Sequence, residues 1–288
     1  MMRFTNIVCA LAFALSVPSH LLAEEKGDSA MVEHLLAAGD TTTLFYARRL
    51  SGLPYVAHTL EVNDREQLVV NLRQMDCTTL VETVCALTLC ARKGLGDYRS
   101  FCRFLQQLRY REGRIDGYPS RLHYFSDWID DNVRMGLVSD VSEAGESVDD
   151  GSIAGQSPFT AVQTLRVNYM STHPTAYKAL RRSPNLVKHI QSQEKRLSGS
   201  KHRYVPKQQV DGNEVLRKVV RDGDIIAITC SKPGLDIAHL GFAVWRSDGL
   251  HLLNASQLHK KVVEEPMTLG EYLSRHPSHT GIRVVRLR

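Results

Sequence analysis

Apolar residues recur at helical spacing through the first half of the chain and alternate through its last quarter. Met31 to Ala38 and Thr43 to Leu50 carry apolar positions three and four apart. Thr78 to Lys93 is stronger, with Leu80, Val81, Val84, Leu87 and Leu89 forming a wide apolar face that predicts a central helix. Thr79 followed three residues later by Glu82 has the spacing of a capping box, and Gly94 and Gly96 close the segment. Asp97 is placed to cap a further helix running to about Arg111, and more helix is expected around 173–195. The pattern then changes to short β-rich runs: Asp224 to Thr229, His239 to Trp245, Leu250 to Asn254, Lys261 to Glu264 and Ile282 to Leu287. Ser247-Asp248-Gly249 between the second and third is a hairpin signal. Helices first and an antiparallel sheet afterwards predict an α+β domain.

Two segments stand outside this pattern. Arg3 precedes an eleven-residue apolar or small run, Ile7 to Val17, followed by Pro18 and by Leu21-Leu22-Ala23 before Glu24-Glu25. That order is the n-region, h-region and small-residue cleavage site of a secretory signal, with cutting expected after Ala23. Eleven residues fall short of the roughly twenty that span a bilayer, so no stable membrane span is expected after cleavage. Export to the periplasm or the exterior follows, with residues 24–288 as one domain. Val141 to Ser157 is acidic and rich in Gly and Ser, and reads as an exposed loop.

Composition narrows the class. Of 288 residues, 43% are hydrophobic and 23% charged, which suits a globular protein with a real core and excludes a disordered or multi-spanning chain. The net charge is +5, but the basic residues are scattered, so nucleic acid is not the expected partner. An anionic cell-wall glycan is compatible with that charge. Removing residues 1–23 takes one of 36 basic residues (Arg3), no acid, and one of six cysteines (Cys9). The five left are Cys77, Cys85, Cys90, Cys102 and Cys230, an odd count that leaves at least one thiol unpaired.

Cys77 lies where the central helix starts, after Met75-Asp76 and before Thr78-Thr79-Leu80. Unsatisfied N–H groups and the positive end of the helix dipole would lower the pKa of a thiol there, and could hold an oxyanion. Buried cysteines are common, so position alone leaves a core thiol as the plainer reading. The company of Cys77 changes that balance. Asp222-Gly223-Asp224 opens a strand, His239-Leu240-Gly241 lies on the next, and Asn254-Ala255-Ser256 follows fifteen residues after His239. A Cys–His pair needs a third group to fix the imidazole tautomer, and an Asn side chain can accept that ring N–H. Strands joined by the Ser-Asp-Gly turn would bring His239 and Asn254 together.

This order of Asp-Cys-Thr-Thr at a helix start, Gly-Asp, His-Leu-Gly and a polar residue before Ala-Ser resembles the NlpC superfamily, papain-fold cysteine peptidases and amidases of bacterial peptidoglycan. The segments Gly117-Tyr-Pro-Ser-Arg-Leu-His-Tyr-Phe-Ser-Asp-Trp128 and Asp236-Ile-Ala-His239 are closer to its secreted, N-acetylmuramoyl-L-alanine amidase-like branch. The resemblance covers about residues 65–285. It implies a papain-like fold, a peptidoglycan or muropeptide substrate, no cofactor, Cys77 as nucleophile and His239 as base. Asn254 stands where relatives often carry His, and Asn fills this role in papain-like sites.

Arg121, His123, Tyr124, Ser126 and Asp127 crowd one stretch after the Gly-Tyr-Pro turn. They are candidates to bind the carboxylates, amides and hydroxyls of a muropeptide, or else a structural corner in which Asp127 caps a helix starting near Trp128. Asp236 either approaches the cleft or is a solvated loop acid. Cys85 and Cys90 point to different faces of one helix and cannot bridge each other. His276 and His279 lack the helix and nearby acid of a zinc site, and His-Glu-x-x-His is absent. A monomeric cysteine amidase is therefore expected. The alternatives are a γ-D-glutamyl-diamino acid endopeptidase of the same fold, a zinc-dependent amidase, and a non-catalytic wall-binding module.

Overall fold

The computed structural model describes residues 19–144 and 155–288. The apolar run Ile7 to Val17 and the middle of the 141–157 segment lie outside the described residues. Helices α1 (Ser19–Leu36), α2 (Thr43–Arg49), α3 (Cys77–Arg92), α4 (Tyr98–Arg109) and α5 (Phe125–Arg134) come first. Strands β1 (Val138–Asp140) and β2 (Ala161–Thr164) follow, then α6 (Tyr169–Thr172), α7 (Lys178–Arg181) and α8 (Pro184–Leu197). The chain continues through β3 (Lys201–Pro206), α9 (Glu214–Val219), β4 (Ile225–Cys230), β5 (Ile237–Arg246), β6 (Gly249–Ser256) and β7 (Lys261–Glu264). Helix α10 (Leu269–Ser274) leads into β8 (His279–Leu287).

All the strand pairs are antiparallel, in the order β2-β3-β8-β4-β5-β6-β7, with β1 beside the C-terminal half of β8. The result is the α+β arrangement that the pattern predicts. Successive strand residues face opposite sides, and the two sides bury different cores. Ile225 and Ala227 of β4, Leu240 and Phe242 of β5, and Leu253 and Ala255 of β6 pack with α1 to α5. Ile226, Ile228, Ala243 and Leu252 face the other way, with Leu216 of α9 and Leu269 and Leu273 of α10. A sheet covered on both faces explains why β4 reads as an unbroken apolar run, Ile-Ile-Ala-Ile, rather than an alternating one.

Helix α3 is held at its start by a capping box one turn earlier than the spacing suggests. Asp76 Oδ1 accepts from the Thr79 N–H at 2.8 Å, and Thr79 Oγ1 accepts from the Asp76 N–H at 2.9 Å. Glu82 is instead a core residue that accepts from Arg109 Nε at 2.6 Å, pinning α4 onto α3. Two glycines in the sequence motifs are required by close approach. A Cβ on Gly241 would lie 2.6 Å from the Leu253 carbonyl oxygen. Gly223 has φ of 81° and packs against Thr43, whose hydroxyl donates to its carbonyl at 2.8 Å.

Candidate active site

One cavity of about 220 Å³ collects Cys77 and Thr78 from the start of α3, His123 and Tyr124 ahead of α5, Phe125 at its start, and Asp236 to Leu240 entering β5. Met170 and Tyr177 close it. The capping box presents Cys77 as the first residue of α3, half-buried at the cavity wall. Its thiol does not have the depressed pKa expected of a helix start. Burial pushes it up to about 12, and the neighbouring Asp76 carboxylate adds to the rise, while the Leu240 and Thr78 N–H groups only partly offset both. The resting group is the neutral thiol.

His239 sits where β5 is irregular, opposite the shift in register at Ile228 and Thr229 of β4. Its Nε2 is 2.9 Å from Asn254 Oδ1. A carbonyl oxygen only accepts, so Nε2 carries the proton and Nδ1 keeps its lone pair. Burial lowers the pKa of His239 below 6.5, against a smaller opposing effect of the Asn254 bond, so the ring is neutral near pH 7. Asn254 is fully buried, and its Nδ2 donates to Glu265 Oε1 at 2.9 Å. The Tyr272 ring lies 6.4 Å from that of His239. Cys77 and His239 share the cavity, and among the described contacts no hydrogen bond joins them.

The Tyr118 to Trp128 stretch divides. His123 and Tyr124 line the cavity, but their polar atoms are committed elsewhere. His123 Nε2 donates to the Tyr118 carbonyl at 3.0 Å, and burial takes its pKa down to about 3. The Tyr124 hydroxyl donates to Glu194 Oε1 at 2.7 Å and accepts from the Met170 N–H at 3.1 Å. Arg121 points away into a larger groove of about 570 Å³, paired with Glu61 and Glu66 and stacked over Tyr118. Ser126 and Asp127 do not line the Cys77 cavity. The Ser126 hydroxyl accepts from Arg283, and Asp127 pairs with Arg111, so the helical periodicity of α5 turns both toward structural partners. Helix α5 begins at Phe125 and Asp127 caps nothing. Asp236, by contrast, is a buried wall of the cavity, its Oδ2 accepting the Ser126 N–H at 2.7 Å, and burial raises its pKa.

Sequence reasoning missed Glu265, His259, Tyr272 and Tyr177. Glu265 reaches Asn254 only through the pairing of β6 with β7, which no local motif encodes. Among the described residues, no three of His, Cys, Asp and Glu are grouped to hold a metal ion, and no helix is long and apolar enough to cross a membrane. His276 and His279 do meet, but as rings stacked 4.5 Å apart against Tyr272.

A thiol at a helix start and an amide-oriented imidazole across one small cavity define a class of site suited to acyl transfer. Residues 46–282 match the N-acetylmuramoyl-L-alanine amidase-like family, and the chain belongs to it. A solved N-acetylmuramoyl-L-alanine amidase from Bacteroides uniformis is 40% identical, covering 86% of this chain and 100% of that one, with a TM-score of 0.77. A Bacteroides fragilis structure, described provisionally as a xylanase, is 43% identical over 84% of this chain and 99% of that one, with a TM-score of 0.75. A Legionella pneumophila protein shares the fold at 22% identity and a TM-score of 0.68, over 92% and 96% of the two chains. No curated protein matches.

Proposed function

We propose that the chain is an exported cysteine amidase of the NlpC type that hydrolyses the bond between N-acetylmuramic acid and L-alanine in peptidoglycan or its fragments. The observation that carries this reading is the His239–Asn254 bond beside Cys77, in a chain of this family. In this mechanism substrate fills the cavity and Nδ1 of His239 takes the Cys77 proton as sulfur attacks the carbonyl carbon. Coupling proton loss to attack suits a thiol whose resting pKa is high. N–H groups of the first turn of α3 that its cap leaves free hold the oxyanion. His239 then gives the proton to the leaving amine, and a water that it activates releases the muramic acid from sulfur. Asn254 holds the ring with Nδ1 toward the cavity throughout. Asp236, a buried acceptor on the wall, is assigned to the polar backbone of the stem peptide.

The export signal rests on the order of residues from Arg3 to Glu25, and the papain-like reading on the motif order and on α3 packed against β5 and β6. A xylan hydrolase needs two carboxyl groups flanking a glycosidic oxygen, and the lining of the Cys77 cavity carries only one, Asp236. In the larger groove Glu61 and Glu66 are held by Arg121, and Asp64 by Lys178.

The test is digestion of purified muropeptides by wild type and Cys77→Ala, read by mass spectrometry. Wild type should yield intact stem peptides and bare glycan. Cys77→Ala, folded by circular dichroism, should lose at least about a thousandfold in kcat, as removal of a nucleophile does. Dipeptide-bearing muropeptides would move the cut to the D-Glu bond, and full turnover by Cys77→Ala would end the thiol mechanism.

A further inference from the structure

Behind Asn254 the structure holds a chain of polar side chains that runs from the cavity to the surface. Asn254 Nδ2 lies 2.9 Å from Glu265 Oε1, and Glu265 Oε2 lies 3.0 Å from His259 Nε2. Glu265 has no exposed surface, whereas the His259 side chain is one-third exposed. The Glu265 main chain is fixed as well: its N–H donates to the Leu252 carbonyl at 2.9 Å and its carbonyl accepts from His251 Nδ1 at 2.9 Å. A buried carboxylate kept at such a cost to desolvation, with two donors converging on it, calls for a reason beyond packing.

We infer that Glu265 is the positioning residue that selects the working tautomer of His239, acting through the side-chain amide of Asn254. An amide is nearly symmetric in shape, so the fit of Asn254 in its pocket does not decide which end meets the imidazole. The group on its far side decides. A carboxylate accepts and does not donate, so the Asn254 NH₂ must turn to Glu265 and its oxygen to His239. That oxygen in turn demands a proton on Nε2 and leaves Nδ1 as the base. Two successive donor–acceptor constraints therefore carry the choice from Glu265 to the reacting nitrogen. His259 donates to the second carboxylate oxygen and holds Glu265 in the rotamer that reaches Asn254.

This inference rests on the proposed role of His239, but its test reads the ring directly. In wild type labelled with ¹⁵N, His239 should titrate as the Nε2–H tautomer in long-range ¹H–¹⁵N spectra. That measurement needs no variant, and an Nδ1–H signal would overturn the inference even if Cys77→Ala proved inactive. Glu265→Leu removes the acceptor, and Asn254 is then free to flip. His239 should show both tautomers, and kcat should fall about 10- to 100-fold with KM little changed, the scale on which a metal-bound imidazole suffers when the group that orients it is removed. Glu265→Gln presents a carbonyl oxygen to Asn254 once the part-exposed His259 ring takes its Nδ1–H tautomer and accepts the Gln NH₂ at Nε2, and it should restore one tautomer of His239 and recover most of the lost rate. A folded Glu265→Leu with a single Nε2–H tautomer would refute the link, whatever its activity. So would a Glu265→Gln variant no better than Leu in tautomer and rate.

Discussion

At the residue scale, the sequence places a thiol at a helix start, and the structure shows why that is not enough to make a thiolate. The helix end offers Cys77 N–H groups, but burial and the Asp76 carboxylate outweigh them and raise the pKa from 9.0 to about 12. His239 is shifted the other way, below 6.5, so neither partner is charged near neutrality. Since the thiolate is the species that alkylates, the rate of Cys77 modification by iodoacetamide should climb about tenfold per pH unit from pH 6 to 10. It should show no plateau on the acid side. A plateau below pH 7 would reveal an imidazolium–thiolate pair and overturn this account. Turnover by the proposed mechanism should behave differently because that mechanism needs neutral His239. Lowering of a base's pKa keeps it neutral down to that pKa, so kcat/KM should stay level from about pH 8 to 6.5 and fall only below 6.5. Peptide-level mass spectrometry separates Cys77 from the buried Cys85, Cys90 and Cys230.

At the scale of elements, legibility followed how local the determinants are. Helices α2, α3 and α4 were readable because their apolar spacing and the Asp97 cap are written within one segment. Strands β4 to β8 were readable for the same reason, and the Ser-Asp-Gly turn correctly joined β5 to β6. Strands β1, β2 and β3 were not. They are short and their burial is patchy, and they exist because the edges of β8 and of one another supply hydrogen-bond partners distant in sequence. The helices expected around 173–195 are α7 and α8, the second starting at Pro184, and the short α6 ahead of them was not read. In the candidate site, Cys77, His239 and Asn254 were nameable as candidates because each sits in a motif, and the fold brings them near one cavity. Arg121, Ser126 and Asp127 were grouped by sequence adjacency, and the turn into α5 sends them to Glu61, Arg283 and Arg111. The Glu82–Arg109 pair makes the same point energetically. Both groups are essentially unexposed and 2.6 Å apart, with Arg109 Nη1 also donating to the Val69 carbonyl. Removing one partner strands the other charge in the core, so Glu82→Ala should cost about 3–5 kcal/mol of unfolding free energy. Glu82→Gln, which keeps an acceptor, should cost less. Urea titration checks both, and a loss under 1 kcal/mol for Glu82→Ala would mean that water or a neighbour replaces the carboxylate.

At the scale of the whole molecule, the expected cleavage after Ala23 falls inside α1, upstream of every core contact that the helix is seen to make. Asp28 accepts from the Leu72 N–H at 3.3 Å and pairs with Arg73, which ties the segment before Cys77 to α1. Val32, Leu35 and Leu36 are buried in the same core as α3, with exposures of 0%, 5% and 6%. Each such side chain contributes about 1.5–3 kcal/mol on burial. Together they match a sizeable part of the roughly 5–15 kcal/mol that holds a domain folded. The chain 24–288 should therefore unfold in a single cooperative step, with its stability intact. A chain starting at Asp40 lacks the apolar residues of α1 that share a core with α3 and α4, and loosens the 60–75 segment that Asp28 holds at Leu72 and Arg73. That segment carries the Glu61 and Glu66 partners of Arg121 and leads directly into the Asp76 cap, so loss of α1 should reach the site through Cys77. The expected outcome is a molten or aggregating 40–288 chain, read as lost near-ultraviolet circular dichroism and a broad thermal transition. If 40–288 instead melts as sharply and at the same temperature as 24–288, α1 is an appendage rather than part of the domain, and the boundary moves to about residue 40.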